Sequence, residues 1–78
     1  MAESFKKNFN GIEYAFYRTT ILDDITYYIM FDEKAERTSV RVAWINGEWR
    51  LPDSVPQHIL TNKDDLIKSI IENEMPKV

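Results

Sequence analysis

The chain contains no cysteine, which removes disulfides and thiol chemistry together. Glycine occurs only at Gly11 and Gly47, too sparsely for a loop that cradles phosphate. A zinc site wants three or four Cys, His or carboxylate ligands at recognisable spacing, and His58 is the only imidazole. No stretch approaches the roughly 18 apolar residues of a membrane span, and the opening MAESFKKNFNG lacks the apolar run of a secretory signal. These absences lead to the expectation of a cytoplasmic protein without a membrane partner.

What is present suits a chain that folds: 78 residues, 44% hydrophobic and 13% aromatic, far from the composition of disorder. A domain of this size buries only about 60 to 65% of the surface its unfolded chain exposes, so its stability margin is thin. With disulfides excluded, a second subunit is the natural supplement. Thirteen acidic residues against ten basic ones give a net charge of -3, which disfavours nonspecific binding to nucleic acid or anionic membrane.

Two Asn-Gly dipeptides, at 10–11 and 46–47, are strong signals for tight hairpin turns, because both central positions of a type I′ turn need positive φ. Counting outward from the first places Phe9 opposite Ile12, Lys7 opposite Tyr14 and Phe5 opposite Phe16, and makes Phe5, Phe9, Ile12 and Phe16 core candidates. A turn at Asp23-Asp24 pairs Leu22 with Ile25, Arg18 with Ile29 and Phe16 with Phe31. It keeps Phe16 on the core face and drops Arg18 among apolar neighbours. Asp32 to Arg37 reads as a charged loop. Beyond it Thr38, Val40, Val42 and Trp44 continue the core face, and the second Asn-Gly turn sets Trp44 opposite Trp49 and Val42 opposite Leu51, so both tryptophans are expected in the core.

Pro52 ends the sheet, and Asp53 or Ser54 is placed to cap a single helical turn over residues 55–60. Thr61-Asn62-Lys63-Asp64 resembles a capping box opening a helix over about 63–74, which Pro76 closes. Its stripe of Leu66, Ile67, Ile70 and Ile71 needs an apolar cover, and the aromatic sheet face is the surface of matching size. The expected fold is α+β: a five-stranded antiparallel β-meander, with strands at about 4–9, 12–21, 25–32, 38–45 and 48–51, and a C-terminal α-helix packed on one face of a single domain. The layout resembles that of small bacterial proteins built from a β-meander and a terminal helix, a likeness of architecture that carries no family motif.

Catalysis has little to rest on. Ser54 precedes His58 by four residues, but no carboxylate or oxyanion-hole motif accompanies them. Asp23-Asp24 is too short for a calcium loop, and Asp32, Glu33 and Glu36 lack the glycine and alternating acids of an EF-hand. No catalytic residue, metal site or cofactor is therefore expected, and the chain is read as noncatalytic. The second sheet face is the informative one. Tyr17, Tyr28, Met30, Arg41 and Ile45 lie on it with Thr19, Ile21 and Ala43, and no element remains to cover them. Such a surface matches the residue types enriched in protein interfaces, so these five are the candidate contact residues for a protein partner or a second copy, as in a homodimer. An ordinary β surface is the plain alternative, since tyrosine and threonine favour strands anyway. A single-stranded nucleic-acid site, with Tyr17 and Tyr28 stacking bases and Lys6, Arg41 and Arg50 on phosphates, is the competing function; the acidic total opposes it.

Overall fold

The computed structural model describes residues 2–75; the stop assigned to Pro76 lies outside them. Five antiparallel strands form one curled sheet in the order β1-β2-β3-β4-β5, comprising β1 (Ser4–Phe9), β2 (Ile12–Ile21), β3 (Asp24–Glu33), β4 (Glu36–Ile45) and β5 (Glu48–Arg50). Two helices follow, α1 (Gln57–Thr61) and α2 (Lys63–Glu74). No helix among the described residues is long and apolar enough to cross a membrane.

Each hairpin turns through two residues of positive φ: Asn10-Gly11, Leu22-Asp23, Lys34-Ala35 and Asn46-Gly47. The two Asn-Gly turns fall where expected, and the first hairpin keeps its predicted register, with Phe5 opposite Phe16 and Phe9 opposite Ile12. The middle of the sheet differs. The second turn is Leu22-Asp23 rather than Asp23-Asp24, so Arg18 faces Tyr27 and Phe16 faces Ile29. A slip of two residues keeps every side chain on its face, which is why alternation alone does not detect it. The DEKAER segment is not a loop: β3 and β4 run through it to a tight turn at Lys34-Ala35, with Asp32 opposite Arg37. At the far edge β5 ends at Arg50, one residue short of the expected strand.

The core lies between one sheet face and the helices. Tyr14, Phe16, Tyr27, Ile29, Phe31, Val40 and Val42 pack against Ile59, Leu66 and Ile70, and Phe5, Phe9 and Ile12 pack around them half-buried. Phe5 stacks flat on Phe16 with ring centroids 4.6 Å apart. The helix stripe divides: Leu66 and Ile70 are buried, whereas Ile71 is 45% exposed. Trp44 also departs from the core assignment. It is 50% exposed and meets Trp49 edge to face at 5.0 Å, while Trp49 leans on buried Tyr27. The reason is size. A helix about 10 Å across covers roughly half of a sheet whose outer strands stand about 19 Å apart. The short helix begins two residues later than expected, after Pro56, and neither it nor α2 takes a side-chain cap. Asn62 instead turns its side chain inward.

Candidate functional site

On the sheet face opposite the helices the registers assemble a row across three strands: Tyr17 on β2, Tyr28 on β3 and Arg41 on β4. Tyr28 and Arg41 form the closer, non-hydrogen-bonded kind of cross-strand pair, because Glu33 and Glu36 close that hairpin with the hydrogen-bonded kind. Met30 stands two residues from Tyr28 on the same side, opposite Ser39. These four form one patch. Ile45 shares the face but lies four residues, about 13 Å, from Arg41 along β4. It belongs to the end of the sheet, beyond Asp24 from the exposed Ile21.

Charge is distributed around this patch rather than through it. Lys6 with Glu13 (3.7 Å), Arg37 with Asp32 (3.2 Å) and Arg50 with Glu48 (2.5 Å) are exposed ion pairs on the same face, near its margins. Arg41 is the one cation of that face without an ion-pair partner among the described residues, and it stands beside Tyr28, with Tyr17 one strand further along the row. No helix or loop among the described residues covers the patch; Tyr17 is 42% exposed and Tyr28 is half-buried by its own neighbours. A polar margin around an aromatic and arginine centre is the arrangement seen in protein contact surfaces.

The helix side holds two polar locks that sequence reasoning passed over. In the first, Asn10 donates to the Asn62 side-chain oxygen (2.5 Å), Asn62 Nδ2 donates to the Tyr14 hydroxyl (2.9 Å), and that hydroxyl is hydrogen-bonded to His58 Nδ1 (2.8 Å). His58 is thus committed to a buried tyrosine and not to Ser54. Burial raises the Tyr14 pKa above its ordinary value, a shift the Asn62 bond partly offsets. Parity puts Tyr14 on the core face, opposite Lys7, and that placement is the signal the sequence carries for this lock.

In the second lock Arg18 reaches Glu74 through two nitrogens (2.7 and 3.2 Å), and the Tyr27 hydroxyl donates to the same carboxylate. Asn73 Nδ2 donates to the Tyr27 oxygen (2.7 Å) and to the Ala2 carbonyl (2.9 Å), tying the start of the sheet to the end of α2. Burial opposes the charge on Glu74, but hydrogen bonds from Arg18 and Tyr27 outweigh it and lower the pKa. Burial, reinforced by Glu74, pushes Tyr27 up to about 12. Arg18 lies among apolar neighbours by parity, and Glu74 is the partner that places it.

Between α2 and the β4–β5 hairpin lies an open groove of about 850 Å³, lined by Ile25, Trp44, Trp49, Ile67, Ile71 and Met75. Among the described residues no three His, Asp or Glu side chains converge to hold a metal ion. No protein-family model, curated protein or solved structure matches this chain.

Proposed function

We propose that this chain is a noncatalytic protein-interaction domain whose contact surface is the bare sheet face, centred on Tyr17, Tyr28, Met30 and Arg41, with Ile45 at its end. The observation that carries the reading is the lone Arg41 at the end of a row with Tyr28 and Tyr17, inside a margin of already paired charges. A partner that covers the patch gains apolar area from Tyr17, Tyr28 and Met30, and it supplies the acceptor that Arg41 lacks among the described residues. The partner is another protein or a further copy of this chain.

Hydroxyl-radical footprinting tests this directly, because tyrosine and methionine are reactive probes. Labelling of Tyr17, Tyr28 and Met30 is expected to fall at high protein concentration or in cell extract relative to dilute purified protein, and Tyr28→Glu is expected to abolish the protection of Tyr17 and Met30. Equal labelling under all three conditions removes the reading.

The adjacency of Tyr17 and Tyr28 with Arg41 also favours a second function, stacking of single-stranded nucleic acid, against a net charge of -3. Labelled oligonucleotides titrated at low ionic strength separate the two, since no salt-dependent binding leaves only the protein partner.

A further inference from the structure

Among the described residues two edges of the sheet are open, β1 and β5, and a second strand would meet different chemistry at each. Phe9 and Ile12 close the first hairpin as a hydrogen-bonded pair, so the odd-numbered residues of β1 bond β2. The Arg18 amide donating to the Glu3 carbonyl at 2.8 Å fits that parity. Ser4, Lys6 and Asn8 therefore present their N–H and C=O groups to the open edge. Antiparallel self-pairing centred on this strand sets Lys6 against the partner's Lys6, or Lys7 against the partner's Lys7, the like-charge arrangement that protects an edge.

The other edge lacks that protection. Ile45 and Glu48 close the last hairpin, so Glu48 and Arg50 bond β4, and Trp49 turns its N–H and C=O outward. No loop amide or carbonyl among the described residues bonds to them. Glu48 and Arg50 flank Trp49 with opposite charges on well-exposed side chains, 61% and 53% accessible. A two-fold axis through Trp49 turns that sequence into its own complement.

We propose that β5 pairs antiparallel with β5 of a second copy, about a two-fold axis at Trp49, with Glu48 of each chain opposite Arg50 of the other. The paired Trp49 residues exchange two backbone hydrogen bonds. Glu48 and Arg50 of both copies form a four-charge cluster on the bare side in the closer kind of cross-strand pair. On the helix side, the groove beside Trp49 leaves space for the second indole. The strand is only three residues long, so the dimer is weak and concentration-dependent. It extends the sheet across both copies and leaves both Tyr28 patches free, on one continuous face. This contact uses β5 rather than the central patch, so it stands or falls separately from the function proposed above.

Sedimentation velocity over a concentration series tests it with charge swaps. Wild type is expected to dimerise. Glu48→Arg and Arg50→Glu each make the cluster one sign and are expected to raise the dissociation constant about tenfold or more, with thermal unfolding little changed because the pair is exposed. An equimolar mixture of the two variants restores opposite charges across the axis and is expected to recover the dimer, as is the double variant Glu48→Arg/Arg50→Glu. Tyr28→Glu is expected to leave it intact. A wild-type monomer at every concentration, charge variants that dimerise like wild type, or a mixture that fails to recover overturns the proposal. A dimer lost in Tyr28→Glu and kept in both charge variants also overturns it and assigns self-contact to the bare face.

Discussion

The two faces of the sheet are made by the same strands, one residue apart, and they differ in what covers them. Phe16, Tyr27, Ile29, Phe31 and Val42 are fully buried beneath α1 and α2, whereas Tyr17, Tyr28 and Met30 alternate with them and face outward. Both sets are aromatic and apolar. Composition alone does not separate a core from a contact surface. What separates them is the supply of covering elements: a chain with one helix of useful length can shield one face.

The sharpest way to break this comparison is to truncate neighbours on opposite faces. Ile29→Ala is expected to destabilise by about 3 to 4 kcal/mol, because it opens a cavity among fully buried side chains, whereas Met30→Ala, its neighbour on the bare side, is expected to cost less than about 1 kcal/mol. Denaturant unfolding of the pair measures the difference, and equal losses would mean that the bare face is packed like a core.

A second test concerns the lock that holds α2 over the covered face. The Glu74 pKa is lowered on folding, so the carboxylate contributes stability that is present above the ordinary glutamate range and is lost as pH falls through the folded value. Arg18→Ala is expected to cost about 2 kcal/mol at neutral pH and to flatten the acid limb of the stability profile. At the other extreme, Tyr27 moves from 10.0 to about 12, so its neutral form contributes stability below pH 10 that disappears as pH rises through about 12. Thermal unfolding across pH checks both limbs, and Tyr27→Phe is expected to remove the alkaline one.

The smallest effect belongs to a turn shared by both faces. Leu22 and Asp23 hold φ of 50° and 69°, a conformation that costs most L-residues roughly 1 kcal/mol each. Replacing them with Asn-Gly is expected to stabilise by about 1 kcal/mol without altering either face, raising the unfolding midpoint by a few degrees.

That turn also marks the limit of legibility in the sequence. Where Asn-Gly stood at the bend, both turn and register were readable, because those residues accept positive φ without strain. At Leu22-Asp23 and Lys34-Ala35 the local chemistry does not advertise a turn, and Asp23-Asp24 and the DEKAER run look more turn-like than they are. Alternation carried the faces through these errors, since a slip of two preserves them. The five candidate contact residues accordingly lie on one face, four of them together. Exposure at the edge was not legible: Trp44 sits on the covered side by parity, but whether a helix reaches it depends on the width of the sheet. The polar locks were hidden for a similar reason, as Asn62 and Glu74 meet their partners only after α2 is laid across the strands.

Glu74 also bears on how the chain selects one alignment of its strands. Arg18 and Tyr27 are opposite one another only in the observed pairing; in the alternative shifted by two, Arg18 faces Ile29 and the two polar groups part. Apolar packing discriminates poorly between those alignments, because each buries the same face. A single carboxylate that must be shared by Arg18 and Tyr27 does discriminate. The end of α2 therefore favours the observed register of the β2–β3 hairpin over a two-residue slip that the hydrophobic pattern would accept.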